Sequence, residues 1–230
     1  MTKPNVPGHV LPRIAPCVAR LGALSAIMSR APYDAIAEHF HALRTTLQPK
    51  EAEYLALLLD PLPAGSTILD LGCGTGRPIA EHIVSRGHHV VGVDGSVALL
   101  ALARAQLPEQ RWIHALIEEV EFAESFAAVV CWDSLFHLPR AMHVPIIRKI
   151  HRWLMPGGRL MISSGGNLEG GEGFTDTMFG HSFYYDSLPP QRMTTVLEET
   201  GFTILRSEMC SLPDGDHDKG KWATVAEKQR

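Results

Sequence analysis

The fold of this 230-residue chain is decided by the stretch Ile68-Leu69-Asp70-Leu71-Gly72-Cys73-Gly74-Thr75-Gly76. Its first residues predict a short buried strand, and the residues after the glycines predict a helix. Glycines spaced two apart let the backbone turn tightly and approach a ligand without a Cβ in the way. The helix that follows presents free backbone N–H groups at the same place. The stretch therefore predicts a strand–loop–helix unit whose loop binds a ligand.

Strands and helices alternate along the chain around this unit. Such alternation is typical of βαβ units and of a parallel sheet covered by helices on both faces. The predicted strands are Thr67–Leu71, His89–Asp94, Arg111–Leu116, Phe126–Trp132 and Arg159–Ser163. The predicted helices lie within Ala35–Leu59 and at Ile79–Arg86, Ala98–Leu107 and Ala141–Leu154, the last ending at Pro156-Gly157-Gly158.

The pattern changes after the fifth strand. Residues 165–188 are rich in glycine and aromatic side chains without a clear period, which predicts loops over the edge of the sheet. A helix at Pro190–Thr200 then precedes two closing strands, Phe202–Met209 and Trp222–Ala226. Between these strands we expect a polar hairpin loop at Pro213–Gly220.

Charge divides the chain into two parts. The first 33 residues contain four basic and no acidic side chains, whereas the whole chain has 21 basic and 25 acidic residues. We expect residues 1–32 to form a mobile or loosely packed arm, because prolines break any long helix there and no clean cleavage site marks an export signal. Residues 33–230 then form one acidic domain, which lacks the positive field that non-specific nucleic-acid binding needs.

The cysteines and histidines show no disulfide or metal-binding spacing. No two histidines stand at helical spacing with an acid, so we expect no metal. No apolar run approaches the ~18 residues of a membrane span, so we expect no membrane partner. Scattered cysteines are typical of reduced thiols in a cytoplasmic protein. They are Cys17, Cys73, Cys131 and Cys210.

Two cofactor classes compete for the glycine loop. A dinucleotide fingerprint needs glycine at the first, third and sixth positions, but the sixth position counted from Gly72 is Arg77. Asp70 also stands just before the glycines, where it would repel a pyrophosphate. These two departures disfavour a nicotinamide-dependent oxidoreductase.

The loop instead resembles motif I of the class I (Rossmann-like) S-adenosylmethionine-dependent methyltransferases, an apolar strand with an acid two residues before Gly-x-Gly-x-Gly. Val90–Asp94 resembles the second-strand motif of that family, Phe126–Leu138 its fourth-strand motif, and Leu154–Leu160 its Leu-x-Pro-Gly-Gly signature. The resemblance covers residues 33–164. It implies an α/β fold with a seven-stranded, mostly parallel sheet in the order 3-2-1-4-5-7-6, strand 7 antiparallel, helices on both faces and an N-terminal helical cap.

The resemblance also implies which residues hold S-adenosylmethionine. Asp70 suits the cofactor's ammonium and sulfonium charges, and Asp94 would accept hydrogen bonds from both ribose hydroxyls. Asp70 could instead order the loop, and Asp94 could cap the next helix, a role that Ser96 also fits. Where many relatives place an acid for the adenine, this chain has Ala115. The implied cofactor-binding residues are Tyr33, Asp70, Gly72, Gly74, Gly76, Asp94, Leu116, Ile117 and Trp132.

The acceptor site is expected after strands four and five. Strand four does not end in the Asn/Asp-Pro-Pro-aromatic tetrad that certain relatives use for exocyclic amino groups, so methylation of DNA bases is disfavoured. His137 and Asp133 are the candidate bases there, although either could have a structural role. The aromatic residues within 165–187 either contact a planar or apolar acceptor or pack as a lid. The candidate substrate contacts among them are His181, Tyr184 and Tyr185.

The sequence therefore predicts an enzyme that transfers a methyl group from S-adenosylmethionine to an oxygen, nitrogen or sulfur atom of a small molecule. Two other functions stay open, a non-catalytic S-adenosylmethionine-binding protein and, less favoured, an NAD-dependent oxidoreductase. The acidic domain carries no appended basic module, which disfavours RNA and protein methylation. No residue pattern specifies the acceptor or the oligomeric state.

Overall fold

The computed structural model describes residues 31–214 and 220–230. The expected arm at residues 1–32 lies almost wholly outside the described residues, as does the middle of the predicted 213–220 loop. Within the described ranges, nine strands form a seven-stranded sheet and a separate two-stranded hairpin. They are β1 (Thr67–Leu71), β2 (His89–Asp94), β3 (Arg111–His114), β4 (Phe126–Cys131), β5 (Leu154–Gly165), β6 (Phe174–Met178), β7 (His181–Tyr185), β8 (Phe202–Ser211) and β9 (Lys221–Lys228).

The seven-stranded sheet has the order β3-β2-β1-β4-β5-β9-β8. Strands β1 to β5 pair in parallel, whereas β9 is antiparallel to both of its neighbours. Counted without the hairpin β6–β7, this is the order 3-2-1-4-5-7-6 with strand 7 antiparallel. The predicted fold is confirmed.

Helices cover both faces of the sheet. In the described ranges these are α1 (Tyr33–Leu43), α2 (Pro49–Leu59), α3 (Ile79–Ser85), α4 (Val97–Gln106), α5 (His143–Trp153) and α6 (Pro190–Thr200). One apolar core includes buried residues of α2, α3 and α4, and a second includes buried residues of α5 and α6. None of these helices combines the length and apolar content that crossing a membrane requires.

The segment 165–188 differs from its prediction. In place of loops alone, it contains the hairpin β6–β7, which turns at Phe179-Gly180, where both residues have positive φ. The central side chain of the hairpin, Phe183, is fully buried. Among the described residues the two strands pair only with each other, and the two-residue turn fixes their register.

Strand β5 begins earlier than the sequence predicts. Leu154 already pairs with Phe126, so α5 ends at Trp153 and not at the Pro-Gly-Gly stop. The register then shifts, and pairing resumes between Arg159 and Ala128. The proline and glycines therefore form an irregularity inside the strand, a common use of glycine in sheets.

Candidate active site

The glycine loop turns between β1 and α3 with a backbone that favours glycine. Gly72 has a φ of 77°, and a Cβ there would lie 2.3 Å from the Cβ of Ser134. The Gly72 N–H donates to the carbonyl of Val93 at 2.8 Å, and the Gly74 N–H donates to Oδ2 of Asp94 at 2.8 Å. These bonds hold the loop against the end of β2, at the sheet edge where open parallel sheets bind ligands.

A cavity of about 890 Å³ opens beside this loop. We call it the first cavity. Gly76 does not line this cavity. It packs against the Trp112 ring, whose nearest atom is 3.1 Å from the position that a Cβ on Gly76 would take. The predicted residues that do line the first cavity are Tyr33, Asp70, Gly72, Gly74, Asp94, Leu116, Ile117, Trp132, Asp133, His137 and Tyr185.

Two buried carboxyl groups, Asp70 and Asp94, line this cavity. Asp94 accepts a second hydrogen bond from the Ser96 N–H at 2.8 Å, whereas the carboxyl group of Asp70 makes no hydrogen bond or ion pair within the described ranges. Burial and the charge of Asp94 raise the pKa of Asp70 to about 7. A buried carboxylate without a partner is destabilising, so this group suits a cationic ligand such as an ammonium.

Asp34 ties helix α1 to the body beside the cavity. Its Oδ1 accepts hydrogen bonds from the Ser96 hydroxyl at 2.5 Å and from the Ala98 N–H at 2.9 Å. Ser96 also accepts from the Leu99 N–H at 3.1 Å, so its predicted role as the cap of α4 is confirmed. The bond from Ser96 lowers the pKa of Asp34, which keeps this carboxylate charged at neutral pH.

Tyr33 and His137 meet in the cavity although 104 residues separate them. The Tyr33 hydroxyl lies 2.9 Å from Nε2 of His137, and Nδ1 of His137 lies 3.0 Å from the carbonyl oxygen of Tyr184. Because a carbonyl only accepts, Nδ1 carries the proton and Nε2 accepts from Tyr33. Burial lowers the pKa of His137, so the ring is neutral at pH 7.

Asp133, the other candidate base, is paired with a cation. Its Oδ2 accepts a hydrogen bond from the Lys221 ammonium at 2.7 Å, and its backbone N–H donates to the Ser163 hydroxyl at 2.8 Å. The ammonium also lies 5.2 Å from the centre of the Trp132 ring. One carboxylate oxygen of Asp133 is therefore held by the Lys221 ammonium.

Trp132 forms an inner wall whose orientation is fixed by helix α2. Its Nε1 donates to Oε1 of Glu51 at 3.0 Å, and Glu51 is itself buried and paired with Arg44 at 3.0 Å. The sequence offered no local signal for this pairing, because it joins residues far apart in the chain. Other wall residues that the sequence did not single out include Phe40, Arg44 and Lys221.

Only one of the three predicted substrate contacts, Tyr185, lines the cavity. Successive residues of a strand point to opposite faces, so Tyr184 points away from Tyr185, and its hydroxyl donates to Asp186 at 3.2 Å. His181 stands beside the hairpin turn, and its cross-strand partner Met178 lines the wall in its place. Contrary to the prediction, His181 and Tyr184 therefore do not line the cavity. Tyr184 contributes to the site only through its backbone carbonyl, which accepts a hydrogen bond from His137.

Across 31–214 and 220–230, no three His, Cys, Asp or Glu side chains come together as metal ligands would. The cysteines in these ranges are free, and burial raises the pKa of the Cys131 thiol to about 12, so it stays protonated at neutral pH.

Residues 68–158 match a family model described as a methyltransferase domain. The ubiquinone biosynthesis O-methyltransferase of Pseudomonas paraeruginosa is 37% identical to the chain over 107 residues. That match covers 44% of this chain and 45% of the relative, so the chain spans less than half the relative's length.

Two solved structures share the fold over most of the chain. The 1,6-didemethyltoxoflavin-N1-methyltransferase of Burkholderia thailandensis has a TM-score of 0.66 and 18% identity, covering 96% of this chain and 94% of its own. The [4+2]-cyclase SpnF has a TM-score of 0.68 and 18% identity, and the match covers 86% of this chain and 94% of the cyclase chain. Residues 68–158 therefore match a methyltransferase domain, and the chain shares the fold of these two structures.

Proposed function

We propose that the protein transfers the methyl group of S-adenosylmethionine to a small-molecule acceptor. The observation that carries this proposal is the unpartnered, buried carboxyl group of Asp70 beside the glycine loop. This carboxyl group supports binding of a ligand that places a positive charge beside it. A dinucleotide would instead place its negatively charged pyrophosphate there. We expect the protein to act in the cytoplasm.

The residues present fit this cofactor. The loop at Gly72 leaves a concave surface that a Cβ would fill, Asp70 suits the ammonium, and Asp94 at the end of β2 can accept from the ribose hydroxyls. Leu116 and Ile117 offer apolar contacts for the adenine. When bound, the cofactor supplies an electrophilic methyl group on a sulfonium. The protein's contribution is then mainly to align the acceptor, which can supply on the order of 7–11 kcal/mol.

Tyr33 and His137 form the proton-accepting pair in this proposal. The Tyr33 hydroxyl can take the proton of an alcohol or amine acceptor while its own proton moves to Nε2 of His137. The Tyr184 carbonyl, which accepts from Nδ1, holds the ring in the required tautomer and stabilises its charged form. Asp133 is the second candidate base, and it would act only after separating from Lys221.

Calorimetric titration tests the cofactor assignment directly. The full chain is titrated with S-adenosylmethionine, S-adenosylhomocysteine and NAD, and Asp94→Ala serves as the site variant. Binding of the first two, lost in the variant, supports the proposal. Binding of NAD alone would overturn it in favour of an oxidoreductase.

Turnover separates methyl transfer from cofactor binding alone, the second candidate function. The structural similarity to a cyclase favours testing this, because the fold also carries other activities. Release of S-adenosylhomocysteine is measured with a panel of hydroxyl, amine and thiol acceptors. We expect Tyr33→Phe to lower kcat about 100-fold while S-adenosylhomocysteine still binds. Tyr184→Phe, whose hydroxyl lies outside the cavity, is the matched control.

A further inference from the structure

A second cavity of about 630 Å³ adjoins the first. It lies between the hairpin β6–β7 and the ends of β5 and β9. Phe136, Tyr185 and Lys221 line both cavities, so the two spaces share a wall. A molecule whose reacting atom lies in the first cavity can therefore extend into the second.

Aromatic rings form one side of the second cavity. Phe174 and Tyr185 are stacked, with centroids 5.5 Å apart and planes 22° apart, and the Tyr185 ring is 5.9 Å from that of Phe136. These residues come from the hairpin and from the turn after β4, so packing of the hairpin builds the row. Such a row offers contact to a planar ring or to a cation.

The charges around this cavity leave carboxylates unpaired. The two cations are neutralised, since Arg140 donates to Asp186 through Nε at 2.6 Å and Lys221 to Asp133 at 2.7 Å. Glu172 and Asp176 also line the cavity, yet neither is paired with a cation in the described part of the chain. The surplus charge of the wall is therefore negative.

Hydroxyl groups supply further polar contacts. Ser164 is only 4% exposed and lines the cavity, and its hydroxyl makes no hydrogen bond to any residue that the structure describes. The Tyr185 hydroxyl is likewise without a hydrogen bond in those ranges. Neither oxygen is fully shielded from solvent, so water can reach both hydroxyls and a bound ligand can take its place. The two hydroxyls are therefore available to form hydrogen bonds with a ligand in the cavity.

We propose that the second cavity binds the non-reacting part of the acceptor, and that this part is a planar ring bearing a cationic amine. The ring lies along Phe136, Tyr185 and Phe174, and the ammonium faces the carboxylates of Asp176 and Glu172. Ser164 donates to or accepts from the polar substituents. The inference rests on the proposed function, because it takes the first cavity as the cofactor site.

Three ligands of similar size test the charge preference: 2-phenylethylamine, 2-phenylethanol and 3-phenylpropanoate. Each is titrated into the full chain saturated with S-adenosylhomocysteine, and binding is followed by ligand-observed NMR and calorimetry. Saturation keeps the amine from binding at Asp70. We expect the amine to bind at least about tenfold more tightly than the carboxylate, with the alcohol between them.

Variants locate the preference in the second cavity. Asp176→Asn should cut the ratio of amine to carboxylate affinity about fivefold, and Phe174→Ala should weaken all three ligands. Glu169→Gln is the matched control, because Glu169 lies in the neighbouring loop and is exposed but does not line the cavity. It should leave the ratio unchanged.

Several outcomes would overturn the inference. These are a carboxylate that binds as tightly as the amine, a ratio that Asp176→Asn does not change, or no binding by any of the three ligands at millimolar concentration. Failure of S-adenosylhomocysteine itself to bind would instead contradict the proposed function. The two failures are therefore distinguishable.

Discussion

Cofactor affinity should depend on pH through Asp70. The cofactor's ammonium requires the ionised carboxylate, and the pKa of Asp70 in the free protein is about 7. The carboxyl is about three quarters ionised at pH 7.5 and about 3% ionised at pH 5.5. Since the protonated form must lose its proton before binding, affinity falls as the pH drops through 7. The Kd for S-adenosylhomocysteine should rise about 25-fold between pH 7.5 and pH 5.5.

Calorimetry with S-adenosylhomocysteine at half-unit pH steps and constant ionic strength measures this slope. Asp70→Asn should bind more weakly and show no such slope, because the titrating group is gone. Asp94→Asn should also weaken binding but keep a slope displaced to lower pH, since the charge of Asp94 helps to raise the pKa of Asp70. A change of less than about threefold in the wild type, or an Asp70→Asn variant with the wild-type slope, would refute the reasoning.

Three further predictions concern the stability of the site. Gly72→Ala should lower the free energy of unfolding by about 2–4 kcal/mol, because the added Cβ would clash with Ser134. Gly87 has a similar φ but open space around it, so Gly87→Ala should lower that free energy by about 1 kcal/mol. Chemical denaturation of both variants measures the difference. Asp34→Ala removes the tether of α1 and should cost about 1 kcal/mol, with S-adenosylhomocysteine affinity reduced several-fold in calorimetry. Asp70→Asn should stabilise the ligand-free protein by up to about 4 kcal/mol at pH 8, because a raised carboxyl pKa destabilises the ionised native state. That gain should vanish as the pH falls towards 4, and urea unfolding at both pH values checks it.

The sheet and the glycine loop could be predicted from the sequence because their signals are local. The bounds of β1 and β2 are as predicted, since each is a short apolar run that ends at a glycine or an acid. Helix α6 is as predicted too, between the proline at its first position and Gly201, which adopts the left-handed conformation. Strand order followed from the resemblance that these motifs carry.

The contacts of the candidate base residues could not be predicted in the same way. Tyr33 reaches His137 across 104 residues, and Lys221 reaches Asp133 across 88, and no spacing in the sequence indicates which hydroxyl or ammonium will arrive at a given side chain. These pairings depend on how α1 and β9 pack at the sheet edge. A short-range pattern holds no information about such packing.

The sequence by itself determined the alternating α/β fold, the glycine loop at Gly72 and the acids at the ends of β1 and β2. Tertiary structure alone decided that 165–188 folds into a hairpin, that Tyr185 faces the cavities while Tyr184 faces away, and that the carboxyl of Asp70 stays unpartnered. The physical reason is the range of the interactions. Backbone turns and apolar periodicity are set within a few residues, whereas burial, ion pairing and the pKa of a buried group depend on which distant segments pack against it.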